Sequence, residues 1–188
     1  MFFTGLDLGQ REDFSAIAVV EREEKAWGAR GGLLVRYLER MPLGTLYTKV
    51  VERVCGLMRH RELAGRSRLV VDATGVGVPV VEMLGSAGLA GIMTAVTITG
   101  GPQAHGHGEK WHVPRRDLLM NLEVLMETGE LTICRRLGEA ERLTRELMSV
   151  GARGDSGEHD DLVMALALAC WRARGARSAF GTRRLPGI

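Results

Sequence analysis

The stretch that most constrains this chain is Phe2–Val20 (FFTGLDLGQREDFSAIAVV), two apolar runs joined by a polar turn, with one carboxylate, Asp7, inside the first run. As a strand, the first run sets Asp7 on one face with Phe3, Gly5 and Gly9, and points Leu6 and Leu8 the other way. A lone Asp in mid-strand is costly unless something cationic offsets it. Gly5 and Gly9 remove side chains that would crowd whatever approaches that carboxylate. The stretch therefore reads as a site strand followed by its hairpin partner.

The partner strand is expected over Phe14–Glu21, and a loop over Glu24–Gly32 leads to a third strand at Leu33–Arg40, giving an antiparallel meander. Pro42 and Gly44 end it. Tyr47, Val50, Val51, Val54, Leu57 and Met58 then recur at helical spacing, with Lys49, Glu52, Arg53 and Arg59 opposite. Arg68–Asp72 is a short strand closing on a carboxylate, Ala73–Gly77 a turn, and a short helix follows to about Leu84. Gly91–Thr99 supplies another strand, so the order β-α-β-α-β requires crossovers and a parallel part to the sheet. Gly100–Trp111, with four glycines and a proline, is expected to be a mobile loop. Pro114 opens a helix, Leu131–Cys134 is a short apolar piece, Leu137–Met148 is an amphipathic helix, and a last helix runs from about Glu158 to Arg174.

At 188 residues and 45% hydrophobic, this α/β pattern fills one domain, expected over 1–176, with a flexible tail over 177–188. The longest nearly unbroken apolar run, Leu162–Trp171, is too short to span a bilayer, and no basic region precedes the first strand. The expectation is a cytoplasmic protein without a membrane partner. Cys55, Cys134 and Cys170 are odd in number and set in apolar patterns, which predicts buried free thiols. A formal charge of +2 neither demands nor forbids an acidic partner, although 22 of the 25 basic residues are arginines, which suit phosphate contacts.

The chemistry rests on carboxylates at element ends: Asp7 on the first strand, Asp72 closing the fourth, and Asp160 and Asp161 opening the last helix. A parallel pairing sets the end of the fourth strand beside the first, and a helix packed by Ala165, Leu168 and Ala169 carries Asp161 down the same face. Gathered acids need a cation among them. Oxygen ligands without cysteine favour Mg2+ or Mn2+ over zinc. Two such ions about 4 Å apart activate a water and stabilise the leaving oxygen of a displacement at phosphorus. Singly, each acid also fits a turn or a helix start. His159 reads as a solvated first-turn residue. His105 and His107 lack the cysteines or second pair of a zinc site, and Gly75 and Gly77 lack the Lys-Ser/Thr of a nucleotide loop, so they serve the turn beside Asp72.

The segments GLDLG, DFSAIAVVE, MPLGTLYTKVVERV, VVDATGVGVPVVEML, WHVPRRDLLMNLEVLMETGELTI and GEHDDLVMALALACW, in that order, resemble the nuclease domain of tailed-phage large terminase subunits. The resemblance covers nearly the whole chain, and HDDLVMALALA after DLG and VDATGVG is its most specific part. It implies a ribonuclease H-like fold, a mixed sheet flanked by helices, and an endonuclease that cuts double-stranded DNA during genome packaging. It also implies that Asp7, Asp72, Asp160 and Asp161 bind the divalent metals, with Asp7 shared, Asp72 and Asp161 completing the two ion sites and Asp160 assisting. Nothing here matches a Walker loop, so the motor would be a separate terminase ATPase, with a small terminase subunit or a portal as further partners and the host cytoplasm as location. Lys110, Arg115 and Arg116, flanking the expected loop at a helix start, are the expected phosphate contacts. Two rivals stand beside this reading: a junction-resolving nuclease of the same fold, and an inert domain that only binds DNA or a packaging partner.

Overall fold

Apolar and small residues at both odd and even positions of Phe2–Asp7 make a strand buried on both faces, which we call β1, and β2 (Ala16–Arg22) returns antiparallel beside it. The structure, a computed structural model, describes residues 1–9, 13–23, 32–75, 77–153 and 159–178. β3 (Leu33–Arg40) completes the meander, and α1 (Tyr47–Met58) crosses the sheet. β4 (Ser67–Asp72), α2 (Gly77–Leu84) and β5 (Met93–Thr99) follow, with a pair of tight helical turns over 85–92 between the last two. After the β6 (His105–His107) and β7 (Lys110–Pro114) hairpin come α3 (Arg115–Glu127), β8 (Leu131–Ile133), α4 (Ala140–Arg153) and α5 (Asp161–Ser178).

The eight strands form one mixed sheet in the order β6-β7-β5-β4-β1-β2-β3-β8. β1 pairs parallel with β4, β4 with β5, β5 with β7, and β3 with β8, while β2 and β6 run antiparallel to their neighbours. Each border of the sheet is a strand of only three residues.

Two apolar layers cover the sheet. Leu6, Ile17, Val19, Leu69 and Val71 pack with Val50, Val54, Val80 and Leu84 of α1 and α2. Phe3, Ala16, Ala18, Val20 and Val70 pack with α5 and with Leu118, Leu122 and Leu125 of α3. All of Asp161–Cys170 is buried, and a helix apolar all round has this central place because no face of it can remain in water. Burial of Leu162, Leu166 and Leu168, each worth about 2 kcal/mol, anchors α5 to β1, β2 and α3.

Several expectations change. Gly100–Trp111 is not one loop: main-chain pairing of 105–107 with 110–112 organises it as a hairpin that joins the sheet through β5. Leu131–Ile133 becomes a strand because β3 offers it an open edge. β2 begins at Ala16, α4 at Ala140 and α5 at Asp161, each two or three residues later than the pattern indicates. Cys55 and Cys170 are buried thiols, but Cys134 is exposed. Most of the Glu24–Gly32 loop, Glu158, and the tail beyond Ser178 lie outside the described residues. Among the described residues no helix is long and apolar enough to cross a membrane.

Candidate active site at the carboxyl ends of β1 and β4

In parallel sheets ligands are bound beyond the carboxyl ends of the strands, and here two acids occupy neighbouring ends. Leu6 lies in register with Val71, so Asp7 and Asp72, one residue further on, stand side by side. Strand alternation puts both on the face of Gly5 and Val70, the α5 side. Asp7 donates a hydrogen bond to the Asp72 carboxylate. Asp72 Oδ1 accepts from the Thr74 backbone N–H at 2.8 Å and from the Thr74 hydroxyl, which in turn accepts from the Ile98 N–H at 2.8 Å. Gly77 allows the chain to turn there, since a Cβ would lie 2.3 Å from the Asp72 carbonyl oxygen.

The third and fourth acids arrive with α5. Its Ala165 carbonyl sits over Gly5, where a Cβ would lie 1.9 Å from that oxygen and 3.0 Å from the Ala169 nitrogen. Gly5 therefore makes room for a helix backbone rather than for a ligand approaching Asp7, correcting the role expected of it. Gly9 likewise closes a turn: its Cβ would lie 2.3 Å from the Asp13 carbonyl oxygen. One turn before Ala165, Asp161 comes down at the carboxyl end of β1, as the i, i+4 spacing requires.

Cations hold the α5 acids. Arg115, first residue of α3, is hydrogen-bonded to Asp160. Asp161 is 5% exposed, and its Oδ2 lies 3.8 Å from Nη1 of Arg40, the last residue of β3, without a hydrogen-bond partner. The Arg40 guanidinium lies 3.7 Å from the Phe14 ring centroid. Glu146 of α4, 6% exposed, caps α5: its Oε2 accepts from the Leu162 and Val163 N–H groups at 2.9 and 3.2 Å, and its Oε1 is 4.0 Å from Arg40. Arg40 and Glu146 were not anticipated. The available signal was Glu146 falling on the apolar stripe of Ala140, Leu143, Leu147 and Val150.

Burial raises the Asp7 carboxyl well above its ordinary range, and Asp72, Asp161 and Asp160 raise it further. Burial also raises Asp72, against the hydrogen bonds from Thr74. Arg40 and Arg115 offset Asp161 and Asp160 and leave Asp7 and Asp72 without a paired cation among the described residues. Crowded, desolvated carboxylates, with a buried orphan oxygen on Asp161, have the oxygen-only chemistry that a hard divalent ion requires. Among the described residues, no three Asp, Glu, His or Cys side chains converge on one point as they stand: Asp160 is turned to Arg115 and Asp161 to Arg40.

Of the expected phosphate contacts, Arg115 is thus tied to Asp160, and Arg116 donates to the Pro102 carbonyl and to Asp117. Lys110 is exposed at the start of β7, at the opposite end of that strand from Arg115. His159 is edge-on to Phe14 at 5.0 Å and 3.6 Å from Asp13. His105 instead stacks on His112 across the hairpin, 4.9 Å between centroids.

This cluster makes stability depend on pH. Burial pushes Glu146 up to about 7, with Asp161 adding to it, and burial pushes Asp161 up to about 6 against the pull of His159 and Arg40. Both folded-state values lie above the unfolded ones, so the native state binds more protons and the stabilisation, complete near pH 4, is lost as pH rises through 6 to 7. Urea unfolding of metal-free protein should therefore show lower stability at pH 8 than at pH 5, by on the order of 3 kcal/mol, and Glu146→Gln should flatten the profile. A profile already flat in the wild type would contradict the burial of these acids.

A scan of protein-family models and a search of curated protein sequences give no match. Solved structures do match. The human cytomegalovirus terminase nuclease domain superposes with a TM-score of 0.59 at 12% identity, covering 95% of this chain and 85% of that one. An Mn-soaked, inhibitor-bound form of that domain gives 0.55 at 12% identity, over 94% and 85%. Thermus thermophilus RuvC gives 0.53 at 15% identity, over 96% and 98%. The chain has the ribonuclease H-like fold that these proteins share.

Proposed function

We propose that this protein is a metal-dependent endonuclease that cuts double-stranded DNA, as a genome-packaging nuclease does without its motor. The supporting observation is the pairing of Asp7 with Asp72 at adjacent strand ends, with Asp160 and Asp161 brought over them by α5. The fold shared with a viral terminase nuclease domain supports the same reading, and manganese in one of those structures supports the choice of ion.

Mg2+ or Mn2+, two ions in the full reading, supplies an activated water and charge stabilisation at phosphorus. Asp7 is the shared ligand because it stands between Asp72 and the α5 acids. Asp72, one oxygen fixed by Thr74, stands beside Asp7. Asp161 is the principal ligand from α5 and Asp160 assists. Arg115 and Arg40, now paired with Asp160 and Asp161, are the cations that a bound dication would replace. Arg115 and Arg116 then face a phosphate backbone at the start of α3. Lys110 remains a candidate contact for DNA that extends along the sheet. The protein partners are a separate terminase ATPase, a small terminase subunit or a portal, and the site of action is the cytoplasm.

Supercoiled plasmid incubated with protein and Mn2+ should be nicked and linearised, and a chelator should stop the reaction. No cutting under any divalent ion would remove the proposal and leave the inert DNA-binding alternative. The second reading, a junction-resolving nuclease, is favoured by the match to RuvC over 96% of the chain. A four-way junction cut faster than linear duplex of the same sequence decides for it.

A further inference from the structure

At the far end of α5, eleven residues and so about 16 Å from Asp161, a cleft of about 520 Å³ opens between β7, α3 and the last described turns of the helix. Trp111 and Trp171 meet in it edge to face, 5.7 Å between centroids. Arg172 and Arg174 line it beside Asn121, and among the described residues no carboxylate does. Their hydrogen bonds go to neutral oxygens: Arg172 Nε to the Thr94 hydroxyl at 3.3 Å, and Arg174 Nη1 to Asn121 Oδ1 at 2.9 Å. Neither is in a salt bridge among the described residues. Asn121 Nδ2 is buried without an acceptor, and the Trp111 indole N–H is already given to the Gly108 carbonyl at 3.1 Å. The rings thus offer apolar surface while the guanidinium groups keep unspent positive charge. Burial and the neighbouring Arg68 hold Arg172 below its ordinary value, consistent with positive charge gathered here without a compensating acid.

We propose that this cleft binds an unpaired nucleotide of a DNA strand, the base stacked against the Trp111–Trp171 pair and the phosphate held by Arg172 and Arg174. Duplex DNA does not fit the same chemistry, since its base faces are already stacked, whereas indole platforms beside arginines are what a single strand uses. Asn121 Nδ2 supplies a donor to a base or phosphate oxygen. An acidic peptide would engage the arginines but leave the ring platform unexplained. The inference rests on the DNA-directed reading above and extends it: the strand being cut is held unpaired at a second point, away from the acids.

The test is fluorescence anisotropy of a fluorescein-labelled dT12 strand, measured in EDTA so that no metal-dependent cutting contributes. Arg174→Ala and Trp111→Ala should each weaken dT12 binding about tenfold, with Arg174→Lys and Trp111→Phe recovering part of it and a labelled 12-base-pair duplex changing less than threefold. Arg174 is exposed, so its variant keeps the fold even if Trp111→Ala does not. Binding of dT12 within twofold of wild type in Arg174→Ala overturns the proposal, and so does a decaglutamate peptide that displaces dT12 equally well from wild type and Trp111→Phe, Trp111→Ala. A protein that nicks plasmid but ignores these cleft variants loses only the cleft, and one that binds dT12 through the cleft yet never cuts loses only the nuclease assignment.

Discussion

Asp7→Asn is expected to abolish DNA cutting and, at pH 8 without metal, to make the protein more stable. The two effects have one cause. Asp7 is pressed between Asp72 and the acids of α5, and burial already disfavours its charge. An amide of the same shape keeps a hydrogen bond to Asp72 and removes one of the repelling charges, which is worth roughly 1–3 kcal/mol and raises the melting temperature by about 3–10 °C. Activity falls by a thousandfold or more, since a lost shared ligand removes ~4 kcal/mol of transition-state stabilisation. The stability gain should shrink as pH falls, because burial and the neighbouring acids favour the protonated form of Asp7. A variant destabilised at pH 8 would show instead that Asp7 is a structural hydrogen bonder, and a variant that cuts like wild type would end the metal-ligand assignment.

Gly5→Ala should produce the largest loss of stability. The added carbon would lie 1.9 Å from the Ala165 carbonyl oxygen, far inside contact distance, and the atom it meets is helix backbone that no rotamer change can move. α5 must back away from β1, loosening the layer of Phe3, Leu162 and Leu166. A cost of about 4 kcal/mol follows for overpacking of this severity, a fall of about 10–15 °C in melting temperature for a domain this size. Asp161 would move with the helix, so cutting should fail at temperatures where the variant is still folded. Gly56→Ala, on the exposed face of α1 with open space around it, is the control and should stabilise by ~0.5–1 kcal/mol. Equal melting temperatures for the two variants would mean that α5 does not rest on β1 as described.

The meander, α1 and the β4 carboxylate are legible because each follows from alternation or helical period within one segment, and the placing of Asp7 beside Asp72 follows from the parallel pairing that the β-α-β order requires. Asp161 was legible too, since Ala165 and Ala169 mark the face that meets the sheet. The β6–β7 hairpin was not: HGHGEKW lacks an apolar alternation, and its pairing is carried by main-chain bonds and by β5 alongside. β8 is three residues long and exists only because β3 accepts it. The lack of a side chain at Gly5 is visible in the sequence, but that the approaching atoms belong to a helix backbone 160 residues downstream is not. Glu146 and Arg40 escaped for a similar reason, their partners being an α-helix start and a strand end far away in sequence.

The three-residue borders of the sheet bear on how the molecule behaves in a crowd. A long bare edge would template pairing with other chains; β6 and β8 are three residues each, and the part of β3 that β8 leaves without a strand partner among the described residues, 36–40, carries Arg36, Glu39 and Arg40, charges that oppose addition of a strand, while β1 and β2 lie at least two strands inside either margin. Amide exchange with heavy water should consequently be slowest at Gly5 and Ala18, quicken outward through β5 and β3, and be fastest at His107 and Thr132. Loss of either margin would leave that protected centre one layer closer to self-association.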